Sequence, residues 1–208
     1  MARGAFVVLE GPDKSGKSTQ AALLARRLRS RGVPFLHTRE PGGTSFAEAI
    51  RRILLNPRHR VHPVAELLLY EAARAQHTRE KILPALRAGR LVVSERYTLA
   101  TLAYQGCGRG LGLGLIRRLD AAATGGLKPD LTILLDIPEG QFRSRGRERR
   151  RDRLERESSL FRRRVRQGYR RLARREPRIV LLDGGASVAR LHEEIIRLVT
   201  PFLKKHAV

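Results

Sequence analysis

The chain has 208 residues, 41% of them hydrophobic and 5% aromatic, with one cysteine and a formal net charge of +23. This length suits one domain around a single core. A lone cysteine excludes an internal disulfide, and no apolar run reaches the ~20 residues that span a bilayer. The opening residues also lack the apolar segment and cleavage site of a signal peptide, so we expect a cytoplasmic protein.

Arginine provides much of the positive charge and is concentrated in residues 142–175, FRSRGRERRRDRLERESSLFRRRVRQGYRRLARR. Such a segment predicts either a contact with polyanions, meaning nucleic acid, membrane phosphate or nucleotides, or a solvated helix face. Composition alone slightly favours the solvated face.

Five apolar runs, in chain order, predict the strands of a sheet. They are AFVVLE (5–10), PFLHT (34–38), LVVSE (91–95), LTILLD (131–136) and IVLLD (179–183). All but the second are apolar enough to predict strands buried on both faces. The segments between the runs are long enough for crossover helices. The pattern therefore predicts an α/β fold of three layers, in which helices flank a five-stranded, mostly parallel sheet.

Local signals predict three of the helices. The first begins near Lys17 and ends at Gly32, before Pro34. Another has an apolar stripe on an otherwise arginine-rich surface, formed by Phe161, Val165, Tyr169 and Leu172. The last follows Ser187, a common N-cap residue, and its inward-facing residues are Val188, Leu191, Ile195, Leu198 and Phe202. No repeat or linker divides the chain, so we expect residues 1–208 to form one domain.

The stretch LEGPDKSGKSTQ (9–20) contains a nucleotide-binding motif. Its GPDKSGKS matches G-x-x-x-x-G-K-[ST], follows a predicted strand and precedes a predicted helix, which is the context of a P-loop. Backbone N–H groups at the start of the helix would bind the phosphates of a nucleotide. Lys17 would reach the β- and γ-phosphates, and Ser18 would bind Mg²⁺. The predicted nucleotide-binding residues are Gly11, Pro12, Asp13, Lys14, Ser15, Gly16, Lys17, Ser18 and Thr19.

P-loops occur in switches, motors and kinases, and the rest of the chain favours a kinase. No N-K-x-D motif for reading guanine is present, and motor ATPases usually need a longer chain. TREPGG (38–43) and SERY (94–97) place Arg39 and Arg96 at the carboxyl ends of strands, where ligands of open α/β sheets bind. Two arginines facing a P-loop predict a second substrate that bears a phosphate.

At these residues the sequence resembles the bacterial thymidylate kinase family, over nearly the whole chain. The resemblance rests on LEGPDKSGKSTQ, TREPGGT, LLLYEAARAQH, ERYTLATLAYQGCGRGL, ATGGLKPDLTILLD and DRLERESSLFRRRVRQGY. It implies the P-loop nucleoside monophosphate kinase fold and phosphoryl transfer from ATP to dTMP with Mg²⁺. It also implies a homodimer, with no nucleic-acid or membrane partner.

For dTMP, the resemblance implies a set of contacts. Arg39 and Arg96 would hold its phosphate, and Arg96 would also meet the transferring group. Tyr70 would stack on thymine, and Arg74 would donate to a thymine carbonyl. The residues expected along the sugar and the base are Thr101, Tyr104 and Gln105.

For the reaction centre, the resemblance places Asp13 near the sugar hydroxyl and the metal. Residues 142–156 would form the LID, a flap over ATP, in which Arg143 occupies an adenine-stacking position. A transition-state arginine would come from residues 149–153, and Arg153 is our candidate. The expected catalytic residues are Lys17, Arg96, Asp13 and Arg153.

Four positions depart from the family pattern. Glu95 stands where relatives have aspartate, and we expect it to contact Mg²⁺ through water beside Ser18. Ala100 and Thr101 replace a serine pair. Lys14 replaces an arginine found in some relatives, so Lys14 and a LID arginine both remain candidates for the catalytic cation. The alternative functions are another nucleoside monophosphate kinase and a P-loop protein that binds nucleic acid.

Overall fold

A computed structural model describes residues 3–145 and 152–203, except the side chains of Glu139, Arg143 and Ser144. Its centre is a five-stranded sheet, all parallel, in the spatial order β2-β3-β1-β4-β5. The strands are β1 (Phe6–Glu10), β2 (Phe35–Arg39), β3 (Leu91–Glu95), β4 (Leu131–Asp136) and β5 (Ile179–Asp183). The predicted fold class is confirmed, and each strand lies within a residue of its predicted position.

Helices connect successive strands and cover both faces of the sheet. The α-helices are α1 (Lys17–Ser30), α2 (Ser45–Leu55), α3 (Pro63–His77), α4 (Leu83–Arg87), α5 (Thr98–Thr101), α6 (Leu113–Thr124), α7 (Glu139–Ser144), α8 (Ser159–Ala173) and α9 (Val188–Leu203). Two π-helical segments, Thr78–Ile82 and Leu102–Gly108, continue α3 and α5. No helix within residues 3–145 and 152–203 has both the length and the apolar composition required to cross a bilayer.

Alternate residues of β1 face opposite layers, as the two-residue period of a strand requires. Val7 and Leu9 pack in a core with α1 and α9. Phe6 and Val8 face the other side, where the central strands β1 and β3 pack on the helices that follow α3. Because β1 is buried on both faces, its sequence is apolar at every position except the last, Glu10.

Two details of the predicted core are wrong. The strand β5 is not buried on both faces, because it lies at the edge of the sheet and leaves Leu181 exposed. Val188 does not face inward, because it lies at the exposed start of α9, while Leu191 and Ile195 are buried as expected. The apolar stripe of α8 is confirmed, since all four of its residues are buried.

Candidate active site

The P-loop connects the carboxyl end of β1 to the start of α1. Gly16 has φ 96°, a left-handed conformation that favours glycine, and α1 begins at the next residue. Gly11 has φ 140°, and a Cβ there would lie 2.3 Å from the carbonyl oxygen of Leu135. The first turn of α1 contains no acidic residue, so its N–H groups can accept an anion.

Lys17 is buried inside this loop and is held by neutral oxygens. Its Nζ donates to the carbonyl oxygens of Gly11 (3.0 Å) and Pro12 (2.6 Å) and to the hydroxyl of Ser15 (3.3 Å). Burial, followed by the charge of Arg96, lowers the pKa of Lys17 to about 7. A phosphate at this loop would favour the charged ammonium, because it brings negative charge to a buried cation.

Two clefts meet in front of the P-loop. The first, of about 1330 Å³, is lined by Asp13, Lys14, Gly16, Lys17, Ser18, Thr19, Arg39, Glu40, Arg51, Glu95, Arg96, Arg145, Asp152 and Glu155. We call it the P-loop cleft. The second, of about 520 Å³, is lined by Asp13, Glu40, Pro41, Arg51, Leu55, Tyr70, Arg74, Arg96, Tyr97, Ala100, Thr101, Tyr104, Gln105, Asp152 and Leu154. We call it the inner cleft.

Arg96 lies where the two clefts join. Its backbone has φ 71°, which is uncommon for a residue with a side chain and often marks a functional site. The guanidinium donates to the carbonyl oxygen of Gly11 (3.1 Å), to Asp13 Oδ1 (2.5 Å) and to the hydroxyl of Tyr169 (3.1 Å). These bonds fix a cation between the P-loop and the inner cleft.

Asp13 joins the same network from the P-loop. The hydroxyl of Tyr104 donates to Asp13 Oδ2 at 2.9 Å, and its ring lies under the Arg96 guanidinium, 5.0 Å from centroid to Cζ. Burial alone would raise the pKa of Asp13, but the charges of Arg96 and Lys17 outweigh it and lower the pKa. Asp13 is therefore an anion fixed beside two of the predicted catalytic cations.

Besides Arg96 and Arg145, the arginines Arg39 and Arg51 line the P-loop cleft. Arg39, at the end of β2, pairs with Glu48 at 3.2 Å and is half exposed. Arg51, on α2, donates to the carbonyl oxygen of Pro41 at 2.7 Å and lines both clefts. Together with Lys14, Lys17, Arg96 and Arg145, they place six cations around a space that can hold phosphates.

Along the inner cleft lie four of the residues predicted to contact the sugar and base. Tyr70 comes from α3, whereas Thr101, Tyr104 and Gln105 come from α5 and the π-helical segment after it. Tyr104 and Gln105 are buried, so their side chains form the wall and the floor rather than the rim. The cleft combines aromatic rings with a few polar groups, as small-molecule sites do.

Arg74 lines the inner cleft but is bonded inside the protein. Its guanidinium, 2% exposed, donates to Glu40, Glu71, Asp120, the carbonyl oxygen of Tyr97 and the hydroxyl of Thr101. An arginine has five N–H groups, and these bonds occupy all of them. The predicted bond from Arg74 to thymine therefore requires that one of these bonds be exchanged or shared.

Ser18 and Glu95 lie together at the mouth of the P-loop cleft. The Ser18 hydroxyl donates to Glu95 Oε2 at 2.5 Å, and His37 Nε2 lies 3.1 Å from the other carboxylate oxygen. Burial would raise the pKa of Glu95, but the hydrogen bonds from His37 and Ser18 lower it overall. Within the described residues, no group of three or more His, Cys, Asp or Glu side chains is placed to hold a metal ion.

In this structure Arg153 lies away from the P-loop, so its role beside the transferring phosphate stays a prediction. Arg153 pairs with Glu66 at 2.6 Å and donates to the carbonyl oxygen of Leu54, also at 2.6 Å, and it does not line the P-loop cleft. The buried carboxylate of Glu66 holds it there. Residues 146–151 and the side chain of Arg143 lie outside the described residues, so the expectations for them stay predictions.

Sequence reasoning missed three residues of this region. Nothing in the sequence pointed to Arg51 as a site residue, apart from its position on an amphipathic helix. Arg145 donates to the carbonyl oxygens of Lys14 (3.2 Å) and Gly184 (3.0 Å) and was one of many LID arginines. Glu10 accepts from the backbone N–H groups of Tyr97 (2.8 Å) and Ala100 (3.1 Å), and so holds the loop beside Arg96. The sequence did contain a signal for Glu10, because a charged residue at the end of a buried apolar strand needs polar partners.

The fold and the site define a class of protein. A parallel sheet with a P-loop after its first strand, and a second cleft that shares its arginines, is the architecture of a P-loop kinase whose acceptor itself bears a phosphate. This class includes the nucleoside monophosphate kinases.

Comparisons with known proteins identify the family within that class. A sequence model described as thymidylate kinase matches residues 9–195. The thymidylate kinase of Kosmotoga olearia is 44% identical over 202 residues, which cover 96% of this chain and 97% of that one. The thymidylate kinase of Carboxydothermus hydrogenoformans is 50% identical over 184 residues, covering 88% and 90%. The crystal structure of thymidylate kinase from Ehrlichia chaffeensis superposes with a TM-score of 0.79 at 31% identity, covering 95% of this chain and 99% of that one.

The chain belongs to the thymidylate kinase family. It phosphorylates dTMP to dTDP, and the phosphate donor of the family is ATP. The resemblance inferred from the sequence motifs is confirmed.

Proposed function

We propose that the γ-phosphoryl group of ATP passes to the 5′-phosphate of dTMP at the junction of the two clefts, beside Arg96. The supporting observation is that Arg96 lines both clefts and is fixed by Gly11 and Asp13. ATP would lie in the P-loop cleft with its phosphates on the N–H groups of α1. The base and sugar of dTMP would lie in the inner cleft, with the 5′-phosphate toward Arg39, Arg51 and Arg96.

On the ATP side, Lys17 would exchange its bonds to loop carbonyls for bonds to the β- and γ-phosphates. A charged phosphate oxygen is a better acceptor for an ammonium than a neutral carbonyl, because the two opposite charges also attract each other. Lys14 also lines this cleft, and its ammonium lies 4.7 Å from the centroid of the Phe142 ring. We therefore assign Lys14 to the ATP-binding surface and Lys17 to the transferring group.

On the dTMP side, Tyr70 would stack on the thymine ring. Tyr104, fixed by Asp13, would pack against the sugar at C2′, which leaves no room for a 2′-hydroxyl. Gln105 and Thr101 would supply polar contacts to the base. Arg74 would mainly hold the wall of the cleft, and it would reach the base only if it gave up or shared its bond to Thr101.

The reaction forms a bond from a 5′-phosphate oxygen of dTMP to the γ-phosphorus and breaks the bond from that phosphorus to the β,γ-bridging oxygen of ATP. The attacking oxygen is already ionised near neutral pH, since phosphate monoesters have a second pKa near ~6. No general base is needed. The protein supplies positioning and positive charge, which are the main sources of catalysis in phosphoryl transfer.

A Mg²⁺ ion fits the oxygens of Ser18 and Glu95. Mg²⁺ prefers oxygen ligands and usually takes only one or two from the protein, with the others from water and substrate phosphates. The hydroxyl and carboxylate already lie 2.5 Å apart, so the two side chains converge on one point. When bound, the ion would neutralise charge on the phosphates of ATP.

A homodimer would bury apolar side chains that are exposed in the single chain. Exposed apolar side chains occur on three neighbouring helices, namely Phe46 and Ile53 on α2, Val64 and Leu68 on α3, and Leu115 on α6. Within α2 and within α3 these residues are seven and four positions apart, so each pair lies on one side of its helix. We propose that this face, the α2–α3–α6 face, contacts a second copy of the chain.

The proposed setting of the reaction is the cytoplasm. Cys107 is a free thiol that is partly exposed, and such a cysteine suits a reducing compartment.

The test is an ADP-release assay with dTMP, dUMP, UMP, CMP and GMP as acceptors. We expect dTMP to be preferred, with dUMP weaker by ~10–100-fold in kcat/KM, because a missing methyl contact costs ~1–3 kcal/mol. UMP and CMP should be weaker still, because they add a 2′-hydroxyl. Arg96→Met should lower kcat by several decades, whereas Arg164→Met, a change on the exposed side of α8, should not. Equal efficiency with CMP and dTMP would contradict the assignment of the inner cleft.

A further inference from the structure

Glu66 is a buried anion next to the inner cleft that the mechanism above does not use. It lies on α3, four residues before Tyr70, and is fully buried. Its carboxylate accepts from Gln105 Nε2 at 2.8 Å and from Arg109 Nε and Nη2, both at 3.1 Å. A second arginine, Arg153, pairs with it at 2.6 Å.

The partners of Glu66 come from separate parts of the chain. Gln105 lines the inner cleft from the π-helical segment. Arg109 continues to Glu157 at 2.7 Å, and its guanidinium lies over the ring of Phe161. Arg153 belongs to the segment that the family resemblance assigns to the end of the LID. Glu66 therefore joins the floor of the cleft to that segment.

Arg153 also fixes its own backbone to α2. Its N–H donates to the carbonyl oxygen of Leu55 at 3.1 Å, and its Nε to that of Leu54 at 2.6 Å. The residues on either side, Asp152 and Leu154, line the inner cleft. Asp152 and Leu154 are bonded directly to Arg153, so they move when its backbone moves. The position of this part of the cleft wall therefore depends on the ion pair between Arg153 and Glu66.

The charge on Glu66 persists despite its burial. Burial would raise its pKa, but the hydrogen bonds from Arg109 and Gln105, with the charge of Arg153, lower it overall. A buried carboxylate of this kind is costly unless every partner is in place, so it specifies one arrangement of those partners.

We propose that Glu66 is a positioning residue of the dTMP cleft. It holds Gln105 directly and holds the Asp152–Leu154 wall through Arg153, so that the two sides of the cleft are ordered together. The proposal rests on the assignment of the inner cleft to dTMP. It also gives Arg153 a structural role on the acceptor side in place of a role at the transferring phosphate.

The experiment compares Glu66→Gln, Arg153→Met and the double variant with wild type, with Arg164→Met as an exposed arginine control. In each single variant we expect KM for dTMP to rise about tenfold or more, because a hydrogen bond to a charged group is lost. We expect KM for ATP and kcat to stay within about twofold. Because both changes break the same link, the double variant should be little worse than the worse single variant.

Several outcomes would overturn the proposal. One is an unchanged KM for dTMP together with a lowered melting temperature, which is the result of a purely structural role. Another is additive effects in the double variant. A third is a loss of kcat by decades in Arg153→Met with KM for dTMP unchanged. That result would show that Arg153 acts on the transferring phosphate. If Glu66→Gln does not fold, the proposal is tested by comparing Arg153→Met with Arg153→Lys. Lysine keeps the positive charge, so KM for dTMP should rise less in Arg153→Lys than in Arg153→Met. Failure of wild type to phosphorylate dTMP would instead refute the assignment of the cleft.

Discussion

Glu71 is a buried carboxyl that the structure predicts to be costly when ionised. One oxygen accepts from Arg74 at 2.8 Å, and among the described residues the other has no hydrogen-bond partner. The same arginine also pairs with Glu40 and Asp120, so three carboxyl groups share one guanidinium. Burial raises the pKa of Glu71 from 4.5 to about 7, against the opposing charge of Arg74.

The substitution Glu71→Gln removes this titration. Since the folded pKa is higher than the unfolded one, the stability that the protonated form contributes is fully present below pH 4.5 and is lost as the pH rises through about 7. At ~1.4 kcal/mol per pH unit, a pKa raised from 4.5 to about 7 corresponds to about 3 kcal/mol of unfolding free energy. The variant should not lose this contribution.

Urea unfolding between pH 4.5 and pH 8 measures the effect. The free energy of unfolding of Glu71→Gln minus that of wild type should increase by about 3 kcal/mol across this range. Glu176→Gln, a change at an exposed glutamate, should give a difference that does not vary with pH. Parallel pH curves for Glu71→Gln and wild type would show that Glu71 is ionised at no cost in the folded protein, and the reasoning from its burial would be wrong.

Three further predictions concern catalysis and assembly. Lys17→Ala should lower kcat by several decades with an unchanged melting temperature, and near-wild-type turnover would refute its role at the transferring group. Tyr104→Ala should bring the dUMP-to-UMP ratio of kcat/KM about tenfold closer to one, since the side chain that excludes the 2′-hydroxyl is gone; an unchanged ratio would show that another residue excludes it. Leu68→Arg should convert a dimer to a monomer in light-scattering measurements, because it puts a charge in the α2–α3–α6 face; a wild-type mass would place the dimer contact elsewhere.

The P-loop and the strands could be predicted because their signals are local. The loop needs glycine at positions 11 and 16 for backbone reasons, and its lysine and serine follow at fixed spacing. A parallel sheet buries its central strands on both faces, so these strands are continuous apolar runs. The edge strand β5 shows the limit of that signal. Its composition resembles that of a central strand, although Leu181 is exposed.

The partners of the arginines could not be predicted, because they are distant in sequence and the candidates are chemically alike. Arg153 was one of several arginines in the predicted LID. Its partner Glu66 lies on α3, far away in the sequence, and no motif connects the two residues. Arg74 was expected to be available to a ligand. Only the three-dimensional structure shows that, besides Glu71 of its own helix, its donors are taken up by Glu40, Tyr97, Thr101 and Asp120. Periodicity indicates which face of a helix is buried, but not which charge meets which.

The pairing of these cations has a consequence for catalysis. Arg96 is held by Asp13, by the carbonyl oxygen of Gly11 and by the hydroxyl of Tyr169, so its guanidinium is fixed before substrates bind. Fixed charges stabilise a transition state without the cost of reorientation during the reaction. Lys17 is different, because the hydrogen bonds of its ammonium go to neutral oxygens of the loop. No ion pair has to be broken when the Lys17 ammonium turns to a phosphate. We therefore infer that Arg96 defines the geometry of the site, whereas Lys17 moves with ATP.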